Sequence, residues 1–143
     1  MIRVPSPGRR ARLLTLAYGF TLFGWFSLED LTVWPVTLFG FGLATLIILY
    51  SLSGKIGGKI IAAAYIPVLG GLTGSLIGIG SSVVVAGLMF FKNARHAHLY
   101  PDYPVEMILA MLERAPAWAI AGVLLGLSLG LGWLAWGKYT VRT

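Results

Sequence analysis

The sequence predicts an all-α integral membrane protein: a four-transmembrane-helix bundle with a short amphipathic interfacial helix between the third and fourth spans. Three observations carry this. Hydrophobic residues make up 57% of the 143-residue chain, and mean hydropathy is +0.83. Charged residues supply only 11%, less than half the ~25% usual in soluble domains. Four uncharged stretches also approach or exceed the roughly 20 residues of helix that cross about 30 Å of hydrocarbon. A soluble domain of this size could not hide so much apolar surface; lipid solvates it.

The spans follow in order within one membrane domain, 1–143. The first is read at about 13–28, between Arg12 and Glu29, and the second at about 31–52. The third lies within 60–91 and the fourth at about 116–137, and no span contains a charged side chain. A basic arm precedes the first span, as in a signal peptide, but no small-residue cleavage site of the A-x-A kind follows it. The segment is therefore expected to stay as a span. As one straight helix, 60–91 would measure about 48 Å at ~1.5 Å per residue, too long for a plain crossing. Pro67 lacks a backbone donor and Gly70-Gly71 follows it, so a kink or break is expected near 67–71, with a strongly tilted helix as the alternative. The crossing proper would then be about 72–91, with 60–69 as a short inner segment or a half-helix.

Basic residues set the orientation. Arg3, Arg9, Arg10, Arg12, Lys55, Lys59, Lys138 and Arg142 fall on one side under four spans; Lys92, Arg95 and Arg114 fall on the other. The larger set is expected inside, so both the N- and C-termini are expected to be cytoplasmic. Aromatic belts are expected at Trp25, Phe26, Trp34, Phe90, Phe91 and Trp118 on the outer side. Tyr50, Trp133, Trp136 and Tyr139 would form the inner belt.

Small residues recur every fourth position at Gly70, Gly74 and Gly78, extended by Ser82 and Ala86, and again at Gly122, Gly126 and Gly130. Such rows let helix backbones approach, because dispersion and weak contacts act where no hydrophobic drive exists between spans. They are expected to be helix-packing seams, either between these two spans or with another protein. The second span shows no comparable glycine row. The stretch GSLIGIGSS (74–82) resembles the glycine-rich helix of rotary ATP synthase ring subunits. Those subunits rely on an intramembrane carboxylate, and no span here has one, so the resemblance implies no shared activity.

The segment 104–114 carries Val105, Ile108, Leu109 and Leu112 at helical spacing, with Glu106 and Glu113 opposite. Pro104 suits a first turn, with Asp102 or Tyr103 as cap. The apolar face is expected to rest on the membrane interface or to dock a partner.

Chemistry has few candidates. There are no cysteines, two histidines and five acids. His96, His98 and Asp102 are the only weak metal candidates, and their spacing matches no compact zinc motif. With Glu106 they are also the only residues on which an enzyme reading could stand, and nothing pairs them with a nucleophile. No cofactor and no resident metal are expected. The net charge of +6 arises in short flanks of apolar runs rather than a basic stripe, so nucleic acid is not an expected partner. The expected partners are the bilayer and other membrane subunits or copies of the chain. The expected function is non-catalytic: a subunit that scaffolds, assembles or stabilises a larger membrane complex. A small oligomeric transporter or channel is the alternative, motivated by the expected break at 67–71.

Overall fold

The computed structural model describes residues 2–4, 6, 8–28, 32–96 and 100–140; side chains at 2, 3 and 137–140 lie outside the description. Five α-helices are seen among these residues: α1 (Arg9–Trp25), α2 (Val33–Ile56), α3 (Ile66–Arg95), α4 (Val105–Glu113) and α5 (Ala115–Thr140). Two short strands, β1 (Ile2–Arg3) and β2 (Ile60–Ile61), pair antiparallel, Ile2 against Ile61 and Arg3 against Ile60. The start of the chain is thereby clipped to the α2–α3 connection. That connection turns at Gly58, whose φ of +80° is a conformation L side chains resist.

Three helical stretches are long and apolar enough to cross a membrane: Val33–Ile56, Ala63–Arg95 and Ala115–Trp136. The chain is accordingly a membrane protein by length and composition of its helices. α1 has 17 residues, about 25 Å at ~1.5 Å per residue.

Of the kink or break expected at 67–71, the break is not seen. α3 is continuous from Ile66 to Arg95, and Pro67 lies in its first turn. There the missing N–H is one that would lack an intrahelical partner anyway, and the fixed φ suits the helix. The interruption falls earlier, in a 3-10 turn at Ala63–Tyr65. α4 begins with Pro104 itself as the N-cap, not inside the first turn behind a polar cap.

α3 is the axis. α2, α4 and α5 all pack on it, while α2 and α5 do not pack extensively on each other. α1 is held by aromatic side chains: Tyr18 and Trp25 meet Phe39, with ring centroids 6.1 and 5.1 Å apart, and Phe26 meets Phe91 at 5.0 Å. The core gathers at one end, around Trp25, Phe26, Val36, Val85, Met89, Tyr103 and Met111. Trp25 and Phe26, expected in an outer lipid-facing belt, are buried there at 5% and 7% exposure. Trp34, Phe90, Phe91 and Trp133 do face outward.

Candidate functional site: a strapped lysine, a glycine seam and a lateral groove

Lys92 is the residue the sequence reading misplaced. Counted there among the bases of an outer loop, it belongs to α3 and is fully buried. Val85, Met89 and Lys92 repeat at helical spacing, so Lys92 continues the buried stripe. That periodicity was the available signal; ending the span at the first charge concealed it. Its Nζ lies 4.5 Å from the Trp25 ring centroid and 5.7 Å from that of Tyr103, within reach of the attraction between a cation and an aromatic face.

The segment ahead of α4 straps this region. Asn93 Nδ2 donates to the Tyr103 carbonyl at 2.7 Å, and Tyr103 N–H donates to Asn93 Oδ1 at 2.9 Å. One side chain thus satisfies both backbone groups of a residue that has no ladder to join. The Tyr103 ring is fully buried, and its hydroxyl donates to the Thr32 carbonyl at 3.3 Å. Beside it, His96 Nδ1 lies 2.8 Å from Asp102 Oδ2. Of the weak metal candidates, His96 and Asp102 are brought together and His98 lies outside the described residues. Among the described residues no group of three or more potential His, Asp or Glu ligands could hold a metal ion.

The glycine rows of α3 and α5 face each other. A Cβ added at Gly74 would meet the Gly122 carbonyl carbon at 2.7 Å, and one at Gly126 would meet that of Gly70 at 2.5 Å. Gly78 opposes Trp118, and Gly130 opposes Pro67. Ser82 does not continue this contact. Its hydroxyl donates to the Met111 carbonyl in α4, so the α3 row changes partner between Gly78 and Ser82. A second close approach went unread. At Gly40 an added Cβ would come within 3.0 Å of the Val85 backbone, and Ala44, one turn on, is buried at 1% exposure. Gly40 and Ala44 form a small-residue pair at the same four-residue spacing, hidden from a search for glycine alone.

α4 buries a different face from the one expected. Met111 is 2% exposed, and Met107 and Ile108 pack against the core. Val105, Leu109 and Leu112 point outward at 62%, 51% and 40% exposure. Of the four residues assigned to docking, Ile108 therefore belongs to the inner contact. The Asn93–Tyr103 and Ser82–Met111 bonds hold α4 along the last turns of α3.

A groove enclosing about 800 Å³ runs between α2 and α5 with α3 as its floor. Its walls include Thr37, Phe41, Thr45 and Leu49 of α2 and Trp118, Leu125, Leu129 and Trp133 of α5. Thr37 and Thr45 donate to their own helix at the Val33 and Phe41 carbonyls, so the surface is almost wholly apolar. No family model, curated protein or solved structure matches the chain.

Proposed function

We propose that this chain is a non-catalytic, multi-pass membrane subunit that scaffolds a larger membrane complex by offering the outer face of α4 to a partner subunit. The observation that carries this reading is the second apolar face of α4. Its inner face already satisfies the bundle through Met107, Ile108 and Met111. Val105, Leu109 and Leu112 remain outside, which a helix serving only to cap α3 does not need. Glu106, Glu113 and Arg114 are exposed on the same segment and are costly in hydrocarbon. They support a position at the membrane–water boundary. The transporter alternative drew on half-helix ends at 67–71, and the unbroken α3 removes that support.

In mild detergent, Leu109→Asp is expected to release a co-purifying subunit while the chain stays folded, because the charge would be stranded in a desolvated contact. Glu106→Gln should retain the partner. Retention by Leu109→Asp, or a wild-type chain that always migrates alone, would sink the reading.

The proposal includes four crossings with both termini cytoplasmic. Two facts support α1 as a fourth span. β1 is clipped beside the α2–α3 turn, and Trp25, at the other end of α1, meets Phe39 and Lys92. These contacts favour an α1 that runs beside α2, from the Ile56 end of α2 toward its Val33 end. Cysteines at Ser6 and Tyr100 in this cysteine-free chain test it. A thiol reagent that cannot cross the membrane, added outside, should label only Tyr100→Cys. Labelling of both positions would mean that α1 does not cross, and labelling of Ser6→Cys alone would invert the topology.

A further inference from the structure

The groove has two unlike ends. Trp118 and Thr37 mark one; Val4, Ile56, Ile61 and Trp133 mark the other. The second end lies amid positive charge. Lys55 precedes Ile56 in the last turn of α2, and the Lys59 carbonyl accepts the Val4 N–H at 3.0 Å. Arg9, Arg10 and Arg12 open α1, tethered nearby through β1. All five of these side chains are exposed. The chain's five acids occur only at 29, 30, 102, 106 and 113, in the segments joining α1 to α2 and α3 to α5. No acid therefore offsets the bases around this mouth within 8–28 or 32–96.

The groove is long. Its α2 wall runs from Thr37 to Ile56 and its α5 wall from Trp118 to Trp133, about 25 Å of helix at ~1.5 Å per residue. The walls are almost wholly apolar, so a flexible hydrocarbon chain can follow them, while positive charge stands beside the groove at its second end.

We propose that this groove is a selective site for an anionic phospholipid, with an acyl chain along α3 and the phosphate at the mouth beside Lys55 and Lys59. A basic pocket beside apolar helix walls is the chemistry by which membrane proteins hold acidic headgroups. The acyl chain supplies contact from Ile56 to about Thr45, about 16 Å of α2 at ~1.5 Å per residue and about one leaflet deep. The site is separate from the outer face of α4 and stands whether or not that face docks a subunit.

The test uses the full chain in mild detergent and phosphatidylglycerol with brominated acyl chains, which quench tryptophan on contact. Trp133 lines the groove and is the reporter. Brominated phosphatidylglycerol should quench at lower concentration than brominated phosphatidylcholine of the same chain length, and Trp133→Phe should remove most of the difference. Lys55→Gln with Lys59→Gln should weaken phosphatidylglycerol about fivefold per lysine and leave phosphatidylcholine unchanged. Thr45→Phe, which fills the groove and keeps every base, should weaken phosphatidylglycerol as well. Circular dichroism and elution volume report whether the variants fold; the wild-type comparison of the two lipids needs no variant. Equal quenching by the two lipids overturns the proposal. So does competition by inorganic phosphate at matched concentration, which would make the mouth a free-phosphate site. An unchanged response in Thr45→Phe would put the lipid on the general surface and overturn the groove. Crosslinking from position 45 to another polypeptide in native membranes would assign the groove to a protein helix instead.

Discussion

Gly74→Leu is expected to destabilise the bundle by about 3 kcal/mol or more and to prevent its accumulation as a folded chain. Overpacking a close-packed site costs roughly 1–3 kcal/mol when side chains can give way. Here they cannot, because the first added atom would meet backbone: the Gly122 carbonyl carbon lies 2.7 Å from the Cβ position. Gly126→Leu should match it, with the Gly70 carbonyl carbon at 2.5 Å. Gly42→Leu should cost less, about 1–2 kcal/mol, although the site is occupied. Its Cβ would meet the end of the Tyr18 ring at 2.5–2.9 Å, and that ring can swing away at the loss of its hydrogen bond to the Phe39 carbonyl. Gly132→Leu, with nothing within 4 Å of its Cβ position, should be tolerated. Denaturant titration in detergent micelles measures the series. Equal midpoints for Gly74→Leu and Gly132→Leu would refute the seam between α3 and α5.

Tyr103→Ala is expected to cost about 3–5 kcal/mol, the range for deleting a fully buried aromatic. Tyr103→Phe, which keeps the ring and loses the hydroxyl's bond to Thr32, should cost about 1 kcal/mol. The ring lies against Lys92, and its hydroxyl reaches the Thr32 carbonyl at the head of α2. Its removal should therefore free the strap as well as lower the unfolding midpoint, and proteolysis near Tyr100 should quicken. If the two variants behave alike, the hydroxyl holds the strap and the packing of the ring does not.

The helices and their membrane character were legible because hydropathy and length are nearly sufficient evidence for a span. Three such helices follow from the residues alone, and the glycine rows named positions that the structure sets face to face. Other features were illegible for definite reasons. Pro67 reads as a breaker only if the helix begins before it; the 3-10 turn at Ala63–Tyr65 moves the start, and the same residue becomes a first-turn proline. Lys92 was assigned by charge when its phase along α3 was the better guide. In α4 an apolar stripe exists, but hydropathy cannot say which of two apolar faces meets the bundle. Met107 and Met111 took it, leaving Leu109 outside. The groove had no sequence signature, since it arises from helices that share α3 without closing on each other.

The chain order of the seam has a consequence for synthesis. Gly78 is matched by Trp118, which lies 40 residues later (118 − 78). At about 5–20 residues per second, the ribosome needs roughly 2–8 seconds to supply that partner after Gly78 has been made. During this interval α3 can already lie against α2 through Gly40 and Val85, but its glycine face has only lipid or an insertion factor to cover it. Pro67, at the far end of the seam, waits longest, because Gly130 comes 63 residues after it (130 − 67). Closure therefore proceeds as the last span arrives, from the Trp118 end toward Pro67. A pause in translation between α4 and α5 would prolong the exposure of the same surface on which the finished bundle depends.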